Sequence, residues 1–167
     1  MRLLITGGAG FIGSNFVRYI LNQYPTYTVI NLDKLTYAGN LDNIQEVLKN
    51  PRHTFVQGDI VDRKLVNKLV LQKVDAIINF AAETHVDRSI EAAEPFLVSN
   101  ILGVQVLLEA ARAHKTPRFI QISTDEVYGD IIKGQFTEES PLKPSSPYAA
   151  SKAAADMLVL AYRRTHD

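Results

Sequence analysis

Three glycines at intervals of three residues lie close to the N-terminus, and they constrain the fold more than any other feature of the sequence. Gly7, Gly10 and Gly13 follow the strand-like run 3–6 and precede a helix-like segment, 14–24. A glycine-rich turn between a strand and a helix lets a phosphate group approach the backbone, and the helix N-terminus supplies N–H donors. This order predicts a dinucleotide-binding unit. A simple tight turn is the alternative interpretation.

Short β-branched runs alternate with helical patterns along the rest of the chain. Strands are expected at residues 3–6, 28–32, 54–56, 76–80 and 119–122. The runs are almost continuously apolar, which is typical of a parallel sheet that is covered by helices on both faces. We therefore expect an α/β fold, namely a Rossmann-type doubly wound parallel sheet.

Two long helices are expected in the second half of the chain. Apolar residues recur at helical spacing over 95–113. The second helix, 147–165, starts at Ser146 and Pro147, which are favourable residues for an N-cap and a first helical position. The segment 129–146 has no clear period and is expected to be a long loop.

The whole chain, residues 1–167, is expected to form one NAD-binding domain with five strands. A doubly wound dinucleotide-binding fold has about six strands. We therefore expect the chain to be an incomplete, N-terminal portion of such a fold, with a substrate domain following residue 167.

Charge and cysteine content exclude several classes of function. The chain has 18 Lys+Arg and 18 Asp+Glu, so it is not expected to bind nucleic acid or an anionic membrane through bulk charge. It has no cysteine, which excludes disulfides, thiolate catalysis and cysteine metal sites, and we predict no metal site. No stretch approaches the roughly 18 consecutive apolar residues of a membrane span. We expect a soluble, cytoplasmic protein.

A carboxylate follows the second predicted strand. Asp33 lies about 20 residues beyond Gly13, where a dinucleotide fold places the group that hydrogen-bonds the adenosine ribose. It would repel a 2′-phosphate, so NAD is favoured over NADP; an ordinary turn aspartate is the alternative. Asp59 and Ile60 are expected near the adenine, although Gly58 and Asp59 are also typical of a turn.

A tyrosine and a lysine lie four residues apart at the start of the last predicted helix, so Tyr148 and Lys152 share one face of it. A phenol with a pKa near 10 is a poor base at neutral pH. A neighbouring ammonium, together with the positive charge of a nicotinamide, would favour the phenolate. A surface Tyr–Lys pair is the alternative, which the glycine loop in the same chain disfavours.

Three polar residues follow the fifth predicted strand, and ligands of such sheets bind at the carboxyl ends of strands. Thr124 can donate a hydrogen bond to a substrate hydroxyl. Asp125 and Glu126 are adjacent carboxylates that can divide the roles of acid and base if their environments differ. A turn-capping aspartate with a solvated glutamate is the alternative.

Five segments together resemble the dTDP-glucose 4,6-dehydratases of the extended short-chain dehydrogenase/reductase family. They are residues 6–13, 33–40, 81–89, 123–129 and 147–152, and they extend over nearly the whole chain. The Asp-Glu pair is the most specific of these features. Related epimerases usually lack it, and related decarboxylases tend to have Thr-Ser-Glu at its position. An epimerase or a decarboxylase acting on a nucleotide sugar, or a non-catalytic NAD-binding fragment, are the alternatives.

This resemblance implies an NAD-dependent dehydration of a nucleotide-diphosphate glucose to the 4-keto-6-deoxy sugar. Tyr148 would take the proton of the C4 hydroxyl, helped by Thr124 and Lys152, while the C4 hydride passes to NAD. Glu126 would then remove the C5 proton, and Asp125 would protonate the departing C6 hydroxyl before the hydride returns to C6. NAD would stay tightly bound, because each cycle regenerates it.

The resemblance also implies further site residues, a dimer interface and a length of about twice this chain. The residues expected to line the cofactor, besides the three glycines, are Phe11, Ile12, Asp33, Lys34, Leu35, Thr36, Asp59, Ile60, Phe80, Ala81, Ala82, Glu83, Thr84, Ser99, Tyr148 and Lys152. Thr84 and Thr124 would approach the hexose. His85 is expected to be structural, and residues 87–89 are either a structural ion pair or a contact to the diphosphate. Helices 95–113 and 147–165 would form a four-helix bundle in a homodimer.

Overall fold

The computed structural model describes residues 1–166 and contains a parallel sheet of five strands. The strands are β1 Arg2–Thr6, β2 Thr28–Asp33, β3 His53–Gln57, β4 Ala76–Asn79 and β5 Phe119–Gln121. They lie in the order β3-β2-β1-β4-β5. The strand order reverses at β1, and such a switch point opens a crevice at the carboxyl ends of the strands. The predicted α/β fold is confirmed, and each predicted strand end lies within one residue of the observed one.

Helices occupy most of the connections between the strands. The α-helices are α1 Phe11–Gln23, α2 Arg63–Val70, α3 Val86–Glu91, α4 Glu94–Ala113 and α5 Pro147–His166, and two 3-10 helices are Leu41–Val47 and Asp125–Tyr128. The two long helices agree with their predicted bounds to within one residue. The sequence patterns did not predict α2, α3 or the 3-10 helices. The first helix begins at Phe11 instead of residue 14, because Gly10 is its N-cap in an extended conformation.

Alternate residues of β1 contribute to two apolar cores on opposite faces of the sheet, as the period of a strand requires. Leu4 is fully buried in the core that also contains Leu107 of α4. Leu3 and Ile5 are buried in the other core, together with Val17 of α1. Both faces of the sheet are therefore covered, which leaves the crevice at the carboxyl ends of the strands as the place for a ligand.

A π-helical stretch, Leu97–Gly103, interrupts α4. The same helix is long and apolar enough to cross a membrane by length and composition. This differs from the expectation based on consecutive apolar residues, because single polar residues such as Asn100 interrupt the run without greatly lowering its mean hydropathy. Half of the apolar window is buried inside the protein, where Leu107 packs against the sheet and Leu108 lies in a cluster with Ala155 of α5.

The N-terminus of α5 is held from two sides. Ser146 is the predicted N-cap, and its Oγ accepts a hydrogen bond from the Ala149 N–H at 3.1 Å. The Oγ of Ser89 on α3 accepts a second one from the Tyr148 N–H at 3.0 Å. The preceding segment, 129–146, contains no helix or strand, as predicted. The two serines therefore fix the first turn of α5, which carries the predicted catalytic tyrosine.

Candidate functional site

A cavity of about 590 Å³ lies at the carboxyl edge of the sheet, and we call it the cleft. Of the residues predicted to bind the cofactor, all but one line it. They are Gly7, Gly10, Phe11, Ile12, Gly13, Asp33, Lys34, Thr36, Asp59, Ile60, Phe80, Ala81, Ala82, Glu83, Thr84, Ser99, Tyr148 and Lys152. The exception is Leu35, which packs against the core beneath α1. The fold therefore brings residues from the whole length of the chain to one cleft.

The three glycines of the loop have different environments. Gly7 has a φ of +69°, and a Cβ there would lie 2.6 Å from the backbone nitrogen of Ala81. A Cβ at Gly13 would lie 2.2 Å from the carbonyl oxygen of Gly7. At Gly10 the nearest atom would be that same oxygen, at 3.3 Å. Gly7 and Gly13 therefore permit close backbone packing, whereas Gly10 leaves space at the N-terminus of α1.

The N-terminus of α1 is suited to a bound anion. Its N-cap, Gly10, provides no side-chain hydrogen bond, and the first turn contains no acidic residue. The free N–H groups and the positive end of the helix dipole are therefore available to a phosphate. Together with the space at Gly10, this arrangement fits the pyrophosphate of a dinucleotide.

Asp33 lies at the end of β2 and is 8% exposed. Its Oδ2 accepts a hydrogen bond from the Ala9 N–H at 2.9 Å, and its Oδ1 accepts one from the Leu35 N–H at 2.8 Å. Both oxygens are thereby oriented, and a carboxylate oxygen can accept a further hydrogen bond from a ligand hydroxyl. Lys34 forms an ion pair with Asp59 at 2.6 Å, so the neighbouring positive charge is already matched.

Lys152 is almost fully buried in the wall of the cleft, with 4% of its surface exposed. Its Nζ donates a hydrogen bond to the carbonyl oxygen of Ile122 at 2.5 Å. Burial lowers the pKa of Lys152, and the negative charge of Asp156 opposes this shift. The ammonium is therefore held in one position at the end of β5.

Tyr148 is also buried, and its pKa is shifted in the direction opposite to the prediction. Burial raises the pKa of Tyr148, a hydrogen bond with Thr124 lowers it, and the charges of Glu126 and Asp125 raise it further. Lys152 is not among the groups that shift it. The prediction also invoked the positive charge of a nicotinamide, and the chain's own residues do not favour the phenolate.

The predicted carboxylate pair lies on the 3-10 helix that follows β5. Thr124 is the N-cap of this helix, and its Oγ1 accepts a hydrogen bond from the Glu126 N–H at 3.3 Å. Thr124 and Asp125 line a second cavity of about 610 Å³, which shares Ser123 with the cleft, and Glu126 lines neither. Both carboxylates are exposed. Thr124 and the two carboxylates are therefore close enough to Tyr148 to shift its pKa.

Asn100, at the centre of the π-helical stretch, is a site residue that the sequence analysis did not identify. Its Oδ1 accepts a hydrogen bond from the Glu83 N–H at 2.8 Å, and its Nδ2 donates to the Glu83 carbonyl at 2.9 Å and to the Ser151 Oγ at 2.8 Å. Ser151 in turn donates to the Tyr148 carbonyl at 2.7 Å. A buried chain of hydrogen bonds therefore connects the loop after β4 to the first turns of α5. A polar residue within an apolar helix was the signal that could have identified it.

Asp156 is the second residue that was not identified. It lies one helical turn after Lys152 on α5 and accepts a hydrogen bond from the Ser123 hydroxyl. Burial raises the pKa of Asp156, while the bond with Ser123 and the charge of Lys152 lower it. Its spacing of four residues from Lys152 was the available signal.

Residues 87–89 lie in α3, and within residues 1–166 they form no ion pair with each other. Arg88 instead lies over the ring of Tyr37, with 4.3 Å between its guanidinium carbon and the ring centroid. His85 is the exposed N-cap residue of α3, and its side chain makes no capping hydrogen bond. The structural ion pair that was one interpretation of this segment is therefore wrong for the described part of the chain.

The parallel sheet, the glycine loop and the Tyr148–Lys152 pair define a Rossmann-fold protein of the short-chain dehydrogenase/reductase class. The chain belongs to the GDP-mannose 4,6 dehydratase family, whose match extends over residues 4–167. It is 59% identical over 167 residues to the low-salt glycan biosynthesis protein Agl12 of Haloferax volcanii, covering 100% of this chain and 53% of that protein. It is 52% identical over 171 residues to a dTDP-glucose 4,6-dehydratase of an Actinoplanes species, covering 99% and 53%.

Solved structures give the same result. DesIV, a dTDP-glucose 4,6-dehydratase from Streptomyces venezuelae with NAD and TYD bound, matches with a TM-score of 0.96 and 53% identity, over 99% of this chain and 52% of that one. The UDP-Glc/GlcNAc 4-epimerase of Campylobacter jejuni matches with a TM-score of 0.90 and 29% identity, over 98% and 49%. The resemblance to the dTDP-glucose 4,6-dehydratases is confirmed. The chain spans about half the length of the curated relatives it matches.

Proposed function

We propose that this chain carries the cofactor site and the acid–base residues of an NAD-dependent dTDP-glucose 4,6-dehydratase. The observation that carries this proposal is the segment Thr124 to Glu126, which follows β5 next to the cleft and presents a hydroxyl and two adjacent, exposed carboxylates. The similarity to DesIV, which was solved with NAD and TYD, supports the same substrate class. The substrate would be a nucleotide-diphosphate glucose.

The cleft is proposed to hold NAD along its whole length. Bound NAD would accept the hydride of C4 and return it to C6 of the sugar. The N-terminus of α1 would bind the pyrophosphate, with Gly10 leaving the necessary space. Asp33 would accept hydrogen bonds from the adenosine ribose, and its charge would repel a 2′-phosphate. Tyr148 and Lys152 would lie beside the nicotinamide.

The proton transfers are assigned to the chain's own side chains. Tyr148 would remove the proton of the C4 hydroxyl, helped by Thr124 and Lys152, because the positive charge of a bound nicotinamide would favour its phenolate. Glu126 would remove the C5 proton, and Asp125 would protonate the departing C6 hydroxyl. An elimination needs a base and an acid beyond the tyrosine, whereas an epimerisation does not. Thr84 and Thr124 would contact the hexose.

The acid–base assignment is tested by comparing Tyr148→Phe with Glu126→Gln in a protein of the relatives' full length that carries these residues. Tyr148→Phe should block the first oxidation, so no reduced nicotinamide should appear when dTDP-glucose is added. Glu126→Gln should allow that oxidation and stop elimination, so reduced nicotinamide should accumulate on the enzyme. Absorbance of the reduced nicotinamide in a single turnover measures both. Asp125→Asn should be milder, because an amide can still donate a hydrogen bond.

General acid–base groups contribute about 10²–10⁴-fold in rate, so the rate of product formation by Glu126→Gln should fall at least about 10²-fold. Glu46→Gln, an exposed carboxylate outside both cavities, is the matched control and should keep the parent rate. Release of the 4-keto-6-deoxy product by Glu126→Gln within about tenfold of the parent rate would contradict the role of Glu126 as the base of the elimination. Release of a C4 epimer in place of that product by the parent protein would favour the epimerase alternative.

The cofactor preference is tested by calorimetric titration of the 167-residue chain with NAD and NADP. The parent should bind NAD more tightly. Asp33→Asn should weaken NAD binding by about tenfold, since hydrogen bonds to a charged group contribute about 1.5–3 kcal/mol. It should also reduce the ratio of the NAD affinity to the NADP affinity. Asp42→Asn, which changes an exposed aspartate outside the cleft, should alter neither affinity. Equal binding of both nucleotides by the parent would contradict the role of Asp33.

A second candidate function is NAD binding without turnover. The observation in its favour is length, because the chain spans about half of its relatives. The 167-residue chain would then bind NAD in the calorimeter and yield no product with dTDP-glucose. A protein of the relatives' full length that carries the same residues would yield product only if the first proposal is correct.

We also propose a homodimer formed through α4 and α5. Leu97, Leu102, Met157 and Leu160 are apolar residues of these helices with 44–55% of their surface exposed. Light scattering at micromolar concentration should give a dimer, and Leu160→Glu should give a monomer. Ile132→Glu, which changes a 99% exposed residue of the loop 129–146, should remain a dimer. A monomeric parent would contradict this proposal. The cytoplasmic location stays a prediction.

A further inference from the structure

Two exposed side chains meet beside the cleft, and the proposed function uses neither of them. Tyr37 lies in the loop after β2, between Thr36 and Ala38, which both line the cleft. Arg88 lies on α3, which follows Glu83 and Thr84, two further residues that line the cleft. The guanidinium carbon of Arg88 is 4.3 Å from the centroid of the Tyr37 ring. The contact therefore joins two segments of the chain whose neighbouring residues line the cleft.

Each partner stands on an element that is anchored to the site. The loop that carries Tyr37 ends at Asn40, whose N–H donates to the carbonyl of Ala9 in the glycine loop at 3.1 Å. On α3, the residue after the arginine is Ser89, whose Oγ accepts the hydrogen bond from the Tyr148 N–H. Both anchors are therefore fixed, while the two side chains that meet are exposed.

We propose that Tyr37 and Arg88 form a clasp that retains the dinucleotide in the cleft. The proposal rests on the proposed function, because the retained ligand is the NAD assigned to that cleft. Tyr37 is 51% exposed, so the clasp can open by rotation of two side chains without any change in the backbone. Release must wait for this opening, whereas the closed contact has no direct role in the chemistry. A surface cation–π contact of this kind should slow release about two- to fivefold.

The test measures the rate at which the 167-residue chain releases NADH. The chain is loaded with NADH and mixed rapidly with an excess of NAD, and the fluorescence of NADH itself is followed, since the chain has no tryptophan. Arg88→Gln and Tyr37→Ala should each release NADH about two- to fivefold faster than the parent. Tyr37→Phe keeps the ring and should release at the parent rate. Arg163→Gln, an exposed arginine in the last turn of α5, is the matched control.

The double variant Tyr37→Ala with Arg88→Gln distinguishes a clasp from two independent contacts. It should release NADH no faster than the faster single variant, because either substitution alone opens the clasp. Multiplied effects in the double variant would overturn the proposal. So would unchanged release from both single variants while the parent binds NADH normally. A parent chain that binds neither nucleotide would instead overturn the proposed function, and the clasp with it. Thermal unfolding should be the same for all variants, which keeps the comparison free of folding effects.

Discussion

The proposed cofactor site and the segment with the proposed acid–base residues, which we call the cofactor end and the reaction end, are built in different ways. At the cofactor end, backbone contacts fix the geometry: Gly7 touches the chain at Ala81, and both oxygens of Asp33 accept backbone hydrogen bonds. At the reaction end, Asp125 and Glu126 stand exposed on a short 3-10 helix. The geometry of the cofactor end is therefore set by backbone packing. The chemistry of the reaction end is set by the surroundings of its side chains.

This difference predicts how each end responds to substitution. At the cofactor end, a single added methyl group displaces backbone, and the effect should reach both stability and binding. At the reaction end, a change of side-chain chemistry should reduce rate while leaving the fold intact. Asn100 connects the two ends, so its replacement should affect both in part.

The largest effect is expected from Gly7→Ala, which attacks the cofactor end directly. The new Cβ would lie 2.6 Å from the Ala81 nitrogen, and the φ of +69° adds strain for any residue with a side chain. We expect NAD affinity to fall by at least about a hundredfold, or about 2.7 kcal/mol. Calorimetric titration of the variant measures this loss.

Gly134→Ala is the matched control for that substitution. Gly134 also has a positive φ, of +95°, but its nearest contact would be the Ile131 side chain at 3.9 Å. The control therefore carries the strain of the backbone conformation without the collision. If both variants lose NAD affinity equally, backbone strain alone explains the effect and the close contact at the cofactor end is unimportant.

An intermediate effect is expected from Asn100→Ala, which removes the link between the ends. The Glu83 N–H and carbonyl would lose their partner, and an unsatisfied buried group costs about 1–3 kcal/mol. We expect the free energy of unfolding in urea to fall by about 2 kcal/mol. Asn15→Ala removes an exposed asparagine that bonds to the Phe11 carbonyl, and it should cost much less. Equal losses of unfolding free energy in Asn100→Ala and Asn15→Ala would show that the buried hydrogen bonds of Asn100 contribute no more than an exposed one.

The smallest effect concerns a buried histidine beneath the glycine loop. The Asn31 Nδ2 donates to the Gly8 carbonyl at 3.2 Å and lies 3.3 Å from the His53 Nε2. Burial lowers the pKa of His53, and the nearby backbone of Val47 opposes the shift. The unfolded chain therefore binds more protons between the folded-state pKa and about 6.5, and stability should fall as pH drops through that window.

Urea unfolding between pH 5 and pH 8 measures this dependence. One proton can contribute a slope of at most about 1.4 kcal/mol per pH unit. His53→Phe should reduce the slope at the acid end of this range, while His85→Phe, at an exposed position, should preserve it. If the free energy of unfolding of His53→Phe depends on pH as it does in the parent, groups other than His53 are responsible for the loss of stability in acid.

The cofactor end could be predicted from sequence because its constraints are local. Gly7, Gly10 and Gly13 lie within one turn between a strand and a helix, and their spacing indicates a close approach of backbone, although not that Ala81 makes this approach at Gly7. The strands could also be predicted from the sequence, since a buried parallel strand is a short continuous apolar run. Leu35 was the exception at this end, because its neighbours line the cleft while its own side chain points to the core.

The supports of the reaction end were not predictable, because their partners are distant in the sequence. Ser89 bonds to a residue 59 positions away, and Asn100 bonds to one 51 positions away. The helices α2 and α3 are too short for a periodic pattern to be recognised. The pKa of Tyr148 depends on its burial and on two exposed carboxylates, and a sequence pattern of i and i+4 contains neither quantity.

Because of its π-helical stretch, α4 requires a fixed number of residues as well as particular residue types. A π-turn adds one residue, so every later residue is rotated by about 100° relative to an uninterrupted α-helix. Within the stretch, Asn100 bonds to Glu83 and Ser151; after it, Leu107 packs against the sheet. Deleting one residue within Leu97–Gly103 would restore a regular helix and leave only one of these faces in register. We therefore expect that α4 does not tolerate the insertion or deletion of a single residue.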